Sequence, residues 1–364
     1  MSRVTLNHVW KIYEGNVIAV RDMSFTCEAG EFLSILGPSG SGKSSTLRMI
    51  VGLEEITRGE ILFDEKVVNK LSPRERNIAL AFESYALYPR LTVYENIAFP
   101  LRVRGLSKFE IDKTVKSIAE LLDLTSILSK YPSSLAGGHQ QRCSLARALV
   151  RKPNVTLLDE PISHMDNRVR AEIRARIRRL HSELKSTTIY VTHDQAEAIS
   201  LCDRLIVMNL AEVQQFGTVD DIWNHPANKF VASFVGEPQM NFINGRIETP
   251  KDVFIVTKER KKAFEFSGEV DQKYVGSEIT VGVRPQQIKL SQSKEQEASI
   301  PGSVKIVEYQ GDNSVLTVKL GDIDSTEIKV VIPVERAVRV GETVWLEFRP
   351  EIIHLFDKET AIIR

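Results

Sequence analysis

The run Gly37-Pro38-Ser39-Gly40-Ser41-Gly42-Lys43-Ser44-Ser45 constrains the fold more than any other stretch of the chain. It follows the apolar Phe32-Leu33-Ser34-Ile35-Leu36 and precedes Thr46-Leu47-Arg48-Met49-Ile50-Val51, which carries a helical pattern. A strand, a glycine-rich turn and a helix in that order make a phosphate-binding loop, because backbone N–H groups can turn inward only where no side chain intervenes. The helix N-terminus adds partial positive charge at the same spot. Lys43 brings a full charge to the β- and γ-phosphates, and the Ser44 hydroxyl is placed to ligate magnesium. An α/β domain that binds a nucleoside triphosphate is expected.

The chain has 364 residues, enough for two or three domains with a full core. Its formal charge is zero and its pI is about 7.1, so no global field recruits nucleic acid or anionic lipid. Cys27, Cys143 and Cys202 are scattered without metal or redox spacing, which reads as packing residues in a reducing compartment. Met1–Asn7 carries no apolar signal core, and no run of about 18 apolar residues occurs. A membrane role is therefore expected only through partners.

Residues 1 to 35 alternate apolar and polar as short strands, with Tyr13 in a loop between two of them. A hairpin is expected over Gly59–Phe63 and Val67-Val68, then a buried strand over Ile78–Phe82. From Tyr85 to about Lys152 the pattern is helical, with Ile111, Val115, Ile118, Leu121 and Leu122 on one face. Pro132 breaks that run and a helix resumes near Gln140. The core returns with strands over Val155–Leu158, Thr188–Val191 and Leu205–Met208, separated by a helix bearing Val169, Ile173, Ile177, Leu180 and Leu184. Alternating strands and helices imply a mostly parallel sheet, with chemistry at the carboxyl ends of the strands. Beyond Gly236-Glu237-Pro238 only strand patterns remain, which suggests a small all-β barrel or sandwich. The expected domains are 1–235, with a helical insertion over about 84–152, and 236–364.

Asp159-Glu160 ends an apolar strand and supplies the acidic half of a phosphate-loop site. Asp159 is expected to hold magnesium opposite Ser44, and Glu160 to orient, or take a proton from, a water attacking the γ-phosphate.

At this point a resemblance is specific. Leu135-Ala136-Gly137-Gly138-His139-Gln140-Gln141-Arg142 resembles the signature loop of ABC ATPases. Ser163-His164-Met165-Asp166 matches their D-loop and Thr192-His193-Asp194-Gln195 their switch histidine. The tail resembles the regulatory domain of maltose-type sugar-importer ATPases at Pro238–Phe242, Gly282–Pro285 and His354–Asp357. The resemblance implies a P-loop ATPase core, a helical insertion subdomain and an OB-like C-terminal regulatory domain. It implies ATP and Mg2+ as ligands, with Tyr13 stacked on adenine and His193 touching the γ-phosphate and holding Glu160. The resemblance further implies two ATPase subunits paired head to tail. Each ATP is then held between one phosphate loop and the partner's Ala136, Gly137, Gly138, His139 and Asp166. Two membrane permease subunits and an extracytoplasmic substrate-binding protein complete the implied importer. The chain would sit at the cytoplasmic face of the inner membrane, with no nucleic acid partner.

Three positions depart from the family pattern. Glu83 stands where a glutamine that can ligate magnesium is usual, and the net effect of its charge is left open. Ala136 replaces the signature serine, losing one donor of a kind worth about 10²–10³ in rate when it fully stabilises a transition state. His164-Met165 is unusual for a D-loop. Pairing with a non-identical ATPase subunit and a homodimer with two slowed sites are both compatible with these departures. The arginine series Arg168 to Arg179 flanks an apolar stripe among glutamates and reads as a solvated face rather than a nucleic acid surface. The apolar and aromatic stretch Tyr85–Leu101 reads either as core of the helical insertion or, as the resemblance implies, as lying near the place where a permease helix docks. The rival classes are a soluble non-transport ABC ATPase and a module that binds ATP without hydrolysing it.

Overall fold

The computed structural model describes residues 2–82, 85–163, 165, 167–255, 264–265, 270–294, 299–321 and 326–357. They fall into two compact units, Met1–Val219 and Asp220–Arg364.

In the first unit β1 (Val4–Tyr13), β2 (Val17–Cys27), β3 (Phe32–Leu36), α1 (Lys43–Val51), β4 (Arg58–Phe63) and β5 (Lys66–Val67) come in order. They are followed by α2 (Pro73–Arg76), β6 (Ile78–Ala81), α3 (Val93–Val103), α4 (Lys108–Leu121) and α5 (Gly137–Leu149). Next come β7 (Val155–Asp159), α6 (Asn167–Leu184), β8 (Thr187–Thr192), α7 (Gln195–Leu201), β9 (Arg204–Asn209) and β10 (Glu212–Thr218). β2-β1-β4-β5 form an antiparallel sheet, and β10-β9-β3-β8-β7-β6 a sheet that is parallel except at β10.

The central strands are buried on both faces, and their alternation sorts side chains between two cores. Leu33, Ile35, Val155, Leu157, Ile189 and Val191 pack with Leu47 and Ile50 of α1 and with the antiparallel sheet. Phe32, Leu158 and Tyr190 point the other way, into the core shared with α3, α4, α5 and α6. The helical insertion follows from local signals. Thr92 accepts from the Glu95 N–H at 3.2 Å and Ser107 from the Glu110 N–H at 3.3 Å, and each glutamate reaches back to its cap. Each such cap stabilises a helix start by about 1 kcal/mol. Ile111, Val115 and Ile118 of α4 are buried as their spacing predicts.

Two boundaries differ from the sequence reading. Tyr13 is the last residue of β1 rather than a loop residue, paired with Val17 across a tight hairpin. α5 starts at Gly137, because Ala136 takes the extended conformation of a helix cap and its carbonyl accepts from the His139 and Gln140 N–H groups. Three arginines of α6 are engaged within the chain: Arg170 with Asp194 at 2.9 Å, Arg178 with Asp203 at 2.7 Å and Arg179 with Glu183 at 2.8 Å.

The second unit opens with most of α8 (Val219–Asn224) and α9 (Lys229–Phe234). β11 (Asn241–Thr249), β12 (Asp252–Ile255), β13 (Phe264–Glu265), β14 (Glu278–Val283), β15 (Lys289–Ser291) and β16 (Ile300–Gln310) follow. β17 (Asn313–Leu320), β18 (Glu327–Pro333), β19 (Thr343–Glu347) and β20 (His354–Phe356) complete it. Two five-stranded antiparallel sheets, β13-β12-β11-β14-β20 and β15-β19-β16-β17-β18, share one apolar core. Arg284, 1 % exposed, donates to the Trp223 carbonyl at 2.7 and 3.0 Å and to the Val235 carbonyl at 2.6 Å, tying the two short helices to this barrel-like body. Its guanidinium carbon lies 4.0 Å from the Trp223 ring centre. Burial pulls the Arg284 guanidinium down to about 10, so it stays charged at neutral pH.

Candidate active site

Strand register gathers the site. β3 pairs β8 with Leu36 beside Thr192, and β7 pairs β8 with Asp159 beside Val191. The phosphate loop, Glu160 and His193 therefore all leave the sheet from one edge, at the carboxyl ends of neighbouring parallel strands.

The loop Gly37–Gly42 joins β3 to α1. Gly42 has φ +104°, and a Cβ there would run into the Ala19 carbonyl oxygen. A Cβ on Gly37 would collide with the Met208 carbonyl oxygen and lie 2.7 Å from Ser41 Oγ. Both positions therefore require glycine. Lys43, Ser44 and Ser45 form the first turn of α1. Lys43 is only 5 % exposed, and its ammonium donates to the Gly37 carbonyl at 2.9 Å and the Pro38 carbonyl at 3.0 Å. Burial lowers the Lys43 pKa, while the Glu160 and Asp159 carboxylates act in the opposite direction.

Ser44 Oγ donates to Asp159 Oδ1 at 3.1 Å, which brings the two expected magnesium ligands together. Glu160 has φ +44°, a left-handed backbone that costs a non-glycine residue about 1–3 kcal/mol. The sheet holds it there: its N–H donates to the Val191 carbonyl at 2.9 Å, and Ser163 Oγ donates to its carbonyl at 3.1 Å. Glu160 Oε2 lies 2.8 Å from His193 Nδ1. An ionised carboxylate only accepts, so Nδ1 carries the hydrogen and Nε2 is left for another contact.

A magnesium–triphosphate fits these residues. Ser41 Oγ is buried in the loop without a partner, and the glycine cradle leaves no room for a Cβ at its ends. Ser44 and Asp159 are hard oxygen donors, and this ion takes few protein ligands when phosphate oxygens and water supply the others. Among the described residues no cluster of three or more His, Cys, Asp and Glu offers an alternative metal cage.

Tyr13 lies beside the phosphate loop: its hydroxyl is 3.2 Å from Ser45 Oγ and is also hydrogen-bonded to Glu54. Glu54 and its neighbour Lys11 escaped the sequence reading, since no motif links position 54 to position 13. Ala136, Gly137, Gly138 and His139 form the start of α5, and the N-terminal N–H groups of that helix have no side-chain cap. Burial, reinforced by Arg142, holds the His139 imidazole below its usual range. Among the described residues these four make no hydrogen bond to the phosphate loop, Glu160 or His193. Glu83, Asp166 and His164 lie outside the described residues.

On the helical insertion, Tyr88 and Phe99 are exposed with ring centres 5.0 Å apart. They line an open cleft of about 620 Å³ with Pro100, Val103 and Arg147. Arg147 donates to the Tyr85 and Ala86 carbonyls and lies 5.2 Å from the Tyr88 ring centre, fixing one wall.

Comparison with known proteins shows the family. The ABC transporter family model matches residues 20–163, the MalK OB fold domain 236–288 and the TOBE domain 281–356. The trehalose/maltose import ATP-binding protein MalK of Thermococcus litoralis is 43% identical over 378 residues, covering 99% of both chains. The multiple sugar-binding transport ATP-binding protein MsmK of Streptococcus mutans is 39% identical over all of both chains. An sn-glycerol-3-phosphate import ATP-binding protein of Agrobacterium fabrum is 39% identical over 99% of this chain and 94% of its own. Among solved structures, the dimeric ATP-binding cassette MJ0796 bound to ADP and Pi is 32% identical. It covers 59% of this chain and 98% of its own, with a TM-score of 0.55.

Proposed function

This chain belongs to the ATP-binding subunits of ABC importers, and from that premise we propose how its residues divide the work of hydrolysis and what it serves. It is an ATPase whose ligands are ATP and Mg2+, and it works as a pair with membrane permeases. Its cargo is a carbohydrate, a polyol or a glycerol-phosphate compound; sugars and sn-glycerol-3-phosphate are the cargoes that its relatives' names give. An extracytoplasmic binding protein delivers that cargo, and the chain sits at the cytoplasmic face of the membrane through the permeases. Residues 1–235 form the motor, with the insertion over about 84–152, and residues 236–364 form the regulatory domain.

The observation that carries the division of roles is the Glu160–His193 hydrogen bond at 2.8 Å, beside Ser44, Asp159 and the Lys43 cradle. The amides of Gly37–Ser45 and the Lys43 ammonium hold the β- and γ-phosphates. Ser44 and Asp159, joined by Glu83, would hold magnesium, which would offset phosphate charge when bound. Glu160 accepts a proton from the water that attacks the γ-phosphate, giving ADP and phosphate. His193 orients Glu160 through Nδ1 and reaches the γ-phosphate through Nε2. Donation from Nε2 requires either an imidazolium or release of the Glu160 bond, so binding and catalysis share this contact.

The uncapped start of α5, Ala136 to His139, faces the partner subunit's γ-phosphate together with Asp166. Only a triphosphate spans both half-sites, so hydrolysis reopens the pair. The Tyr88–Phe99 cleft receives a permease helix and passes the motion on. Because Ala136 lacks the hydroxyl, a second reading pairs this chain with a non-identical ATPase that supplies the better signature loop. Purification of the transporter from its host decides between the two: one ATPase chain at twofold stoichiometry excludes the mixed pair. The main reading is tested by co-expression with its permeases and binding protein, where cargo uptake is expected and must vanish with Lys43→Ala. Uptake that survives Lys43→Ala refutes it.

A further inference from the structure

The groups around Tyr13 form a cluster that the division of roles above leaves unused. α1 begins at the phosphate loop and ends at Gly52, whose φ of +83° turns the chain back. Leu53 and Glu54 then donate their N–H groups to the Arg48 carbonyl at 2.9 and 3.2 Å. That turn returns the Glu54 side chain to Tyr13, whose hydroxyl it binds. Glu54 is itself held by two cations, Lys11 Nζ at 3.4 Å and Arg48 Nη1 at 3.5 Å. A carboxylate between two cations accepts, so the phenol donates.

The Tyr13 hydroxyl also meets Ser45 Oγ at 3.2 Å, in the turn that holds the phosphates. Lys11 Nζ lies 4.7 Å from the centre of the Tyr13 ring and donates to the Glu55 carbonyl at 2.8 Å, so one ring face is occupied by a fixed ammonium. Tyr13 is nonetheless 36 % exposed, so the ring still reaches solvent. An aromatic ring with its rim pinned and one face covered can stack a base only on the opposite face.

We propose that Glu54 and Lys11 are positioning residues for the nucleobase: they lock Tyr13 so that its uncovered face is ready for adenine. The inference rests on the reading of Tyr13 as the base-stacking residue. Ordering the ring in advance lowers the entropy lost on binding, and the gain applies only to ligands that carry a base.

The test compares Mg-ATP with Mg-tripolyphosphate, which shares the phosphates and lacks the base, by calorimetry on the full chain. For Glu54→Ala we expect ATP affinity to fall about five- to twentyfold, within the range that base–aromatic stacking supplies, with tripolyphosphate affinity unchanged. Tyr13→Phe should lower ATP affinity in the same direction. Glu54→Gln, which keeps an acceptor, should stay within about twofold of wild type. In the assembled transporter Glu54→Ala should raise KM for ATP and leave kcat unchanged.

If Tyr13→Ala weakens ATP while Glu54→Ala and Tyr13→Phe do not, the clamp is wrong and the stacking reading stands. If Glu54→Ala weakens ATP and tripolyphosphate alike, Glu54 supports the phosphate loop and the clamp is again wrong. If Tyr13→Ala has no effect on ATP, the stacking reading falls and takes the clamp with it.

Discussion

His193 Nδ1 lies 2.8 Å from Glu160 Oε2, with the two residues following adjacent parallel strands of one sheet. The strained φ of +44° at Glu160 is held by a ladder hydrogen bond to Val191, so the carboxylate is aimed by the sheet rather than by a free loop. Glu160→Gln keeps the shape and the hydrogen-bonding reach but removes the base. Turnover should fall by about 10²–10⁴, the range of general base catalysis, with ATP affinity within about twofold of wild type. Phosphate release in single-turnover assays checks this, and a wild-type rate would show that Glu160 is not the base.

Ala136 caps α5 with its backbone alone, since its side chain carries no oxygen. Ala136→Ser restores a donor at a helix start that is uncapped by any side chain. Steady-state ATPase activity should rise about three- to tenfold, a fraction of what a fully engaged donor supplies. An unchanged rate would show that the hydroxyl is immaterial to this pair.

Glu197 is a buried carboxylate behind the switch histidine, 1 % exposed, accepting from Tyr190 and Thr192 hydroxyls at 2.8 Å each. Its Oε1 has no partner. Burial raises its pKa above the ordinary carboxylate value, against the pull of the two hydroxyls. The unfolded chain therefore ionises Glu197 at lower pH than the folded one. Its favourable contribution is complete below the unfolded pKa and is lost as pH rises through the folded value. Glu197→Gln removes that loss. Its melting temperature relative to wild type should climb between pH 4.5 and 7, by about 2–4 °C for each kcal/mol relieved. A difference independent of pH would contradict the assignment.

Arg284 satisfies three hydrogen bonds to two carbonyls inside the second unit. Arg284→Met fills much of the volume but leaves those carbonyls unpaired, at about 1–3 kcal/mol each. The unfolding transition of the C-terminal unit should drop by several degrees. Arg284→Lys should rescue little, because an ammonium lacks the planar fork. Full rescue by lysine in differential scanning calorimetry would show that charge, not the fork, is what matters.

The phosphate loop was legible because glycine at fixed spacing between a strand and a helix has few other physical uses. Asp159, Glu160 and His193 were legible as strand ends, and parallel register then brought them to one edge. The exact start of α5 depends on the extended conformation of Ala136, which no local pattern marks because alanine has no capping side chain. Glu54 could not be found, since its partnership with Tyr13 depends on where the turn at Gly52 sends the chain. Arg284 stood inside a recognisable Gly-Val-Arg-Pro run, but its burial against carbonyls is a tertiary fact with no local signature.

The most direct measurement is a cross-link between two copies of the chain on a Glu160→Gln background, one carrying Ser39→Cys and the other Ala136→Cys. Burial pushes the native Cys143 thiol up to about 12 and Cys202 up to about 11, so both stay largely unreactive near neutral pH. A disulfide joining the two copies should form rapidly with MgATP and slowly with MgADP. Equal yields with the two nucleotides would contradict a triphosphate shared between two half-sites, and none with either would contradict pairing of the chain with itself.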